Sequence, residues 1–279
     1  MAFNLASISR EAVVKAPRIL LLAKEKVGKT AFCAGDRVEN GQIVEWGLNR
    51  PVILPIKGEQ GADDIPVAKF PVATEFDNVV EAIGTLATEE HDFQTFAIDS
   101  LTTLEEIVKR KVMLDNPKDF RTDADYIRYN NGPRAAAAVH RMICDGLDVL
   151  RERKSMCTII TAHIKHNTKE IIDPEQGPFS AWVADIPDPV FSVYARWADV
   201  VLYASTKNIT KSVEAGMGRT VSQSVDVGNG QRFLFTRATK SHPSGGRGVY
   251  GHLPAEIPFD WHSFNQAVAS AAASYTNAK

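Results

Sequence analysis

The sequence predicts an α/β fold: a mainly parallel central sheet flanked by helices, with an antiparallel edge toward the C-terminus. Three observations carry this reading. Short, β-rich apolar runs recur along the chain, longer amphipathic stretches lie between them, and the first run leads straight into Val27-Gly28-Lys29-Thr30. Several of the runs are apolar without alternation, as strands covered on both faces are.

Taken in order, the expected strands are 18–22, 52–56, 95–98, 158–162, 200–203 and 232–236. A short helix is expected directly after Lys29, from Thr30 to Ala34. Longer ones are expected over 76–88, 101–114 and 133–153. The last has Pro133 at a first helical position and Ala135, Val139, Met142, Ile143, Leu147 and Leu150 along one face. The alternation of strand and helix favours a parallel sheet, and Gly-Asn-Gly at 228–230 marks a turn near the antiparallel edge. Segments 115–132, 164–189 and 239–251 show no periodicity, and such stretches in a compact domain are usually functional or mobile. There is no internal repeat. The one low-complexity run, Ala135 to Ala138, is good helix former. The chain divides into an arm (1–16), a core (17–258) and a C-terminal helix or tail (259–279).

The bulk composition bounds the function classes. With 279 residues, 44% of them apolar, the chain is long enough for one large core. Charged residues make up 24%, and the net charge is −2, so any nucleic-acid contact has to come from local segments or from a groove between subunits. No apolar run reaches the roughly eighteen residues of a membrane span. The start, Met1-Ala2-Phe3-Asn4, lacks a signal-like pattern, and a cytoplasmic protein is expected. Cys33, Cys144 and Cys157 have no metal-ligand spacing and sit in apolar surroundings, which predicts reduced core residues.

Chemistry concentrates at Gly28-Lys29-Thr30. A strand that aims a loop, backbone N–H groups that wrap phosphates, a lysine for the β/γ oxygens and a hydroxyl for Mg²⁺ make a P-loop. Val27, Gly28, Lys29, Thr30 and Ala31 are the expected nucleotide-binding residues. The following helix start favours anionic phosphate. Ala23 stands where the full GxxxxGK[ST] pattern has its first glycine.

Phe96-Ala97-Ile98-Asp99 is an apolar strand ending in a carboxylate. Asp99 is thus the expected partner of Thr30 at Mg²⁺, against the alternative of a helix cap. Glu59, in the glycine-flanked turn Lys57-Gly58-Glu59-Gln60-Gly61 after the second strand, is the candidate base for water; the alternative is a solvated loop glutamate. His163 follows the strand 158–162 at the same edge and can donate to a phosphate oxygen. A histidine that only caps the strand is the other reading.

The ordered set Gly28-Lys29-Thr30, Glu59-Gln60-Gly61, Ile98-Asp99-Ser100 and Ala162-His163, with an alanine-rich helix between the last two, resembles the RecA/KaiC-like ATPase core. It is most similar to the compact phage-encoded RecA-like ATPases of single-strand annealing and recombination, over about residues 17–253. The resemblance implies an ATPase using ATP and Mg²⁺, with Glu59 as catalytic glutamate, His163 in place of the γ-phosphate-sensing glutamine, and Asp63 near the adenine. It implies self-assembly into a ring or filament, DNA-stimulated turnover, single-stranded DNA as partner, and single-strand-binding protein as a candidate partner.

In that family two loops hold single-stranded DNA. Here the first corresponds to 115–134, with Lys118, Arg121, Tyr126, Arg128, Tyr129 and Arg134. The second corresponds to 164–196, with Lys165, His166 and Lys169 among the acidic Asp173, Glu175, Asp185 and Asp188. Either segment reads equally as a solvated surface loop. Phe3-Asn4-Leu5-Ala6 resembles the Phe-x-x-Ala assembly motif. Lys240 and Arg247, with Arg237, are candidate trans-acting cations, against solvated surface charge. Lys24 also fits the partition ATPases, although their glycine-rich loop is here Lys24-Glu25-Lys26. Two other readings stay open: an ATP-gated DNA-binding or annealing module that hardly hydrolyses, and a partition-type regulatory ATPase.

Overall fold

Ile19, Leu21 and Ala23 face one side of the sheet while Leu20 and Leu22 face the other, and all five are fully buried. A strand covered on both faces has no polar side to alternate, which accounts for the run that the sequence shows. The computed structural model describes residues 15–59, 61–167, 171–173, 177–179, 181–206, 208–214, 220–226 and 230–277. The Phe3–Ala6 motif, Lys169 and most of the Gly-Asn-Gly turn lie outside the described residues.

The chain runs through β1 (Arg18–Ala23), α1 (Lys29–Cys33), a hairpin of β2 (Arg37–Glu39) and β3 (Gln42–Glu45), then β4 (Pro51–Pro55) and β5 (Ala68–Lys69). Next come α2 (Phe76–Thr88), β6 (Thr95–Asp99), α3 (Leu101–Asp115), α4 (Asp123–Ile127), α5 (Asn131–Arg153) and β7 (Cys157–His166). The second half holds a short hairpin of β8 (Ile171–Asp173) and β9 (Gly177–Phe179), β10 (Trp182–Ala184), α6 (Asp188–Trp197) and β11 (Val200–Thr206). A longer hairpin of β12 (Asn208–Glu214) and β13 (Thr220–Asp226), then β14 (Arg232–Phe235), β15 (Gly245–Gly246), β16 (Glu256–Pro258) and α7 (Trp261–Asn277) complete it.

The main sheet has the order β16-β14-β11-β1-β7-β6-β4-β5. From β11 to β5 the pairings are parallel, whereas β14 and β16 run antiparallel at the C-terminal side. The expected fold class is therefore observed, antiparallel edge included. Helices α2, α3, α5 and α6 cover one face, and α1 and α7 the other, where Phe32 packs edge-on against Trp261 at 5.1 Å between ring centroids. All three cysteines are free and buried. No helix among the described residues is long and apolar enough to cross a membrane.

Local chemistry sets the element ends. Ser100 caps α3, and Glu75 with Asn78 forms a capping box on α2. Helix α5 starts two residues ahead of Pro133, because Tyr129 and Asn130, both at positive φ, turn the chain just before it. Pro133 still lies in the first turn, where no intrahelical N–H bond is lost.

The segments expected to be irregular are more ordered than their sequence suggests. The first folds α4, held by a Thr122–Asp125 capping box. In the second, β7 runs on to His166 and β10 returns antiparallel to it, so its base is a β-hairpin. The third contains β15 and a 3₁₀ turn over Gly248–His252.

At the amino ends of β1 and β11 the Asp199 carboxylate meets three guanidinium groups, Arg18, Arg151 and Arg247, each at 3.0 Å. Burial alone raises this carboxyl, and the bonds and charge of Arg18 and Arg151 outweigh it, leaving Asp199 below the usual carboxylate range. Arg247 also donates to the carbonyls of Arg196 and Trp197. Arg247, a candidate trans-acting cation, is thus bonded within its own chain, at the end of the sheet away from that chain's Lys29.

The cluster makes a stability prediction. Asp199→Asn leaves the largely buried Arg151 without its charged partner and Arg18 with only Asp148, so chemical denaturation should show a loss of about 3 kcal/mol. Because the folded carboxyl titrates below its unfolded value, this stabilisation is present above about pH 4 and fades as pH falls through the lower folded value.

Candidate active site at the carboxyl edge of the sheet

Four parallel strands deliver the site. The loop after β1 carries Lys29 and Thr30, the turn after β4 carries Glu59, β6 ends in Asp99, and β7 passes between β1 and β6 with Thr161 and His163. Ala23 is the last residue of β1, in extended backbone paired with His163 and Ala204, so alanine fits where the motif has glycine. Gly28 opens α1 at φ +113°, a backbone that side chains rarely adopt.

Thr30 Oγ1 donates to Asp99 Oδ2 at 2.6 Å, and Thr161 Oγ1 donates to the other carboxylate oxygen at 2.5 Å. Asp99 is 2% exposed. A Cβ on Gly61 would lie 2.6 Å from Thr30 Oγ1, so glycine is what lets the turn after β4 approach the P-loop. A hydroxyl touching a buried carboxylate is a donor set that suits Mg²⁺, which takes one or two protein oxygens and completes its shell with phosphate and water. Among the described residues no cluster of three or more His, Cys, Asp or Glu is placed to hold a metal alone.

Lys29 is 5% exposed. Burial pulls its ammonium below the ordinary lysine value, while Asp99 and Glu59 pull the other way. Its Nζ donates to the Lys24 carbonyl at 2.9 Å and lies 3.1 Å from His163 Nδ1. An ammonium has only donors, so His163 Nδ1 is the acceptor and its proton sits on Nε2. That Nε2 meets Glu59 Oε1 at 2.8 Å, and Ser100 Oγ donates to the same oxygen at 2.6 Å. The His163 backbone N–H donates to Thr102 Oγ1 at 2.9 Å. The hydrogen bond from His163 holds the Glu59 carboxyl below the usual range, against the opposing effect of burial.

The site therefore brings together Lys29, Thr30, Asp99, Glu59 and His163, five residues singled out from the sequence. It adds Ser100, Thr102, Thr161 and Arg232. Ser100 and Thr102 follow the Asp99 strand directly and were readable as a helix start, whereas Thr161 looked like one more strand residue. Arg232 Nη1 donates to the Val27 carbonyl at 2.6 Å across a large stretch of sequence.

A family model described as an AAA domain matches residues 15–248. The chain belongs to the AAA domain family. It is a P-loop NTPase, a statement that family and fold support together. No curated protein matches the chain in sequence. Among solved structures, one described as the crystal structure of the RadB recombinase is similar over 89% of this chain and 90% of its own, at 11% identity and a TM-score of 0.39.

Around the AAA-domain site the remaining candidates separate. Asp63 is exposed two residues beyond Gly61, with its carbonyl taken by Lys69. Lys24 Nζ lies 4.0 Å from the centre of the Trp182 ring on β10, within its own chain. Lys118, Arg121, Arg128, Tyr129 and Arg134 are all exposed along one stretch, with Arg128 over the Tyr129 ring. Tyr126 is the exception: it is buried, packs on Phe120 and donates to Glu105, so it is not available for stacking. Lys165 is exposed and paired with Asp185 at 2.8 Å. Lys240 lies on the exposed turn after β14, beside Ser241, whose carbonyl accepts from Trp182.

The Glu59 geometry is testable in nucleotide-free protein. His163→Ala removes a donor to the charged carboxylate, so the Glu59 pKa followed by NMR should rise toward the ordinary glutamate value. An unchanged titration would show that His163 does not hold it.

Proposed function

We propose that this chain binds Mg-ATP through Lys29, Thr30 and Asp99 and hydrolyses it with Glu59 orienting the attacking water. The observation that carries this reading is the Thr30–Asp99 contact beside a buried Lys29, with Glu59 facing them from the next strand turn. Bound Mg²⁺ would supply positive charge against the phosphates at Thr30 and Asp99. Lys29 has three donors, two of them given to Lys24 and His163 in this structure, and a triphosphate competes for them. His163 stands between Lys29 and Glu59, so breaking its Lys29 bond changes the environment of the catalytic carboxylate.

We further propose that the protein acts on single-stranded DNA in recombination or annealing, assembling as subunits. The support is local. Lys118, Arg121, Arg128, Tyr129 and Arg134 offer cations with an aromatic ring in one exposed segment, suited to phosphates and stacked bases. The segment continues into a groove of about 590 Å³ between α5 and α6, which Arg134, Arg141 and Arg196 line. A buried polar group joins the helices on this side to α3: Tyr126 of α4 and His140 of α5 both bond Glu105 on α3, and His140 bonds Tyr194 of α6 at 2.8 Å. Helix α3 begins at the residues that hold Glu59 and His163.

A reading as an ATP-gated module with little hydrolysis is favoured by one observation, the pair of hydrogen bonds from His163 and Ser100 that ties Glu59 down. Kinetics separate the two. Lys29→Ala should abolish nucleotide binding measured by calorimetry; Glu59→Gln should bind normally and lose at least about a hundredfold in kcat. Turnover that survives in Glu59→Gln would remove that residue from the mechanism.

For DNA, the double change Arg128→Gln and Arg134→Gln should weaken binding to a single-stranded oligonucleotide. It should also flatten the log K against log salt plot by about 1.4, near 0.7 for each phosphate that is no longer neutralised. An equal preference for duplex would favour a partition-type activity.

A further inference from the structure

One contact to the nucleotide loop comes from the far, antiparallel side of the sheet. Arg232 opens β14, pairs with Thr206 at the end of β11, and reaches back so that its Nη1 donates to the Val27 carbonyl at 2.6 Å. The carbonyl of Val27 and the N–H of Gly28 belong to one peptide unit. In a planar trans peptide those two groups point in opposite directions. Fixing the carbonyl on one side of the loop therefore aims the Gly28 N–H at the other, where phosphate is expected.

The same guanidinium explains the residue at position 28 from a second direction. A Cβ on Gly28 would sit 2.7 Å from Arg232 Nη1, with Phe259 at 3.7 Å behind it. Arg232 thus occupies the space that a side chain on the loop would need. Its own backbone carbonyl accepts from Phe259 N, and Phe259 lies in the cluster of Phe32, Trp261 and Phe264 that fastens α1 to α7. Asp36 and Asp260 sit in that region; burial pushes the Asp36 carboxyl up to about 6, and Arg232 is among the groups that oppose the rise. The arginine is a partly buried side chain on a strand of the main sheet, and its guanidinium is bonded to the loop.

We propose that Arg232 is a positioning residue for nucleotide binding: it presets the Val27–Gly28 peptide so that the P-loop is formed before a triphosphate arrives. It touches no reacting atom. Its effect falls on affinity, because an unset peptide has to be ordered by the ligand itself. This rests on the reading of the site as a Mg-nucleotide site.

The test compares Arg232→Ala and Arg232→Lys with wild type, using MgADP by calorimetry and ATP turnover by steady-state kinetics on the full chain. A hydrogen bond from a charged donor is worth enough for a loss of about tenfold in MgADP affinity in Arg232→Ala. KM for ATP should rise by a similar factor, and kcat should fall by less than KM rises. Arg232→Lys can still donate once to the Val27 carbonyl, and its affinity should fall between the two. If Arg232→Ala does not fold, Arg232→Lys carries the test through the same split. MgADP affinity equal to wild type in the folded variants would overturn the proposal, and so would a kcat loss with KM unchanged. Wild-type protein that bound neither MgADP nor ATP would instead overturn the nucleotide-site reading, and this proposal with it.

Discussion

A lysine ammonium with almost no access to water is the constraint around which this molecule is arranged. Taking an isolated charge out of water is expensive unless it is paired. Lys29 meets that demand with one carbonyl, one imidazole nitrogen and three nearby carboxylates, Asp99, Glu59 and, more weakly, Glu25. Apart from Glu25, which shares the loop of Lys24, each of those groups comes from a different strand end. The compensation therefore exists only when β1, β4, β6 and β7 lie in their observed order, so the site's electrostatics and the sheet's topology are one requirement. Asp99 follows the same pattern, with each of its two oxygens accepting from a threonine of a different element, Thr30 of α1 and Thr161 of β7.

The parallel strands set this edge, and the antiparallel side braces it. Strands β14 and β16 add no residue to the Lys29 cluster, yet Arg232 at the head of β14 grips the loop from behind. Helix α7 closes the same face through the aromatic group around Phe32. At the opposite end of β1 the arginine cluster on Asp199 ties α5, β1 and the segment before β11 together. The central strand is thus fastened at both ends by groups that take no part in chemistry.

Much of this was readable in the sequence, for identifiable reasons. The sheet strands revealed themselves because burial on both faces leaves apolar runs, and α2 because its apolar residues and its ends agree with one period. Lys29, Thr30, Asp99, Glu59 and His163 stand at strand ends, where residue type and position can be read together. Arg232 was not readable as part of the site, since its partner lies 205 residues away in the chain. Tyr126 misled for a related reason: beside Arg121 and Arg128 it looks like a surface aromatic, and only the packing of α4 on α5 puts it inside. The hairpin base at Trp182 was hidden because three residues are too few to show a period.

The two-sided burial of β1 limits how this chain can change its length. With odd-numbered residues in one layer and even-numbered ones in the other, adding or deleting a single residue inside Arg18–Ala23 would exchange the occupants of both layers at once. It would also turn the end of the strand so that the following loop left from the wrong side. Insertions are far better absorbed in the β2–β3 hairpin, whose second strand is exposed along its whole length. Variation in size among proteins of this build is accordingly expected in the outlying ribbons, with the spacing from Ile19 to Lys29 kept constant.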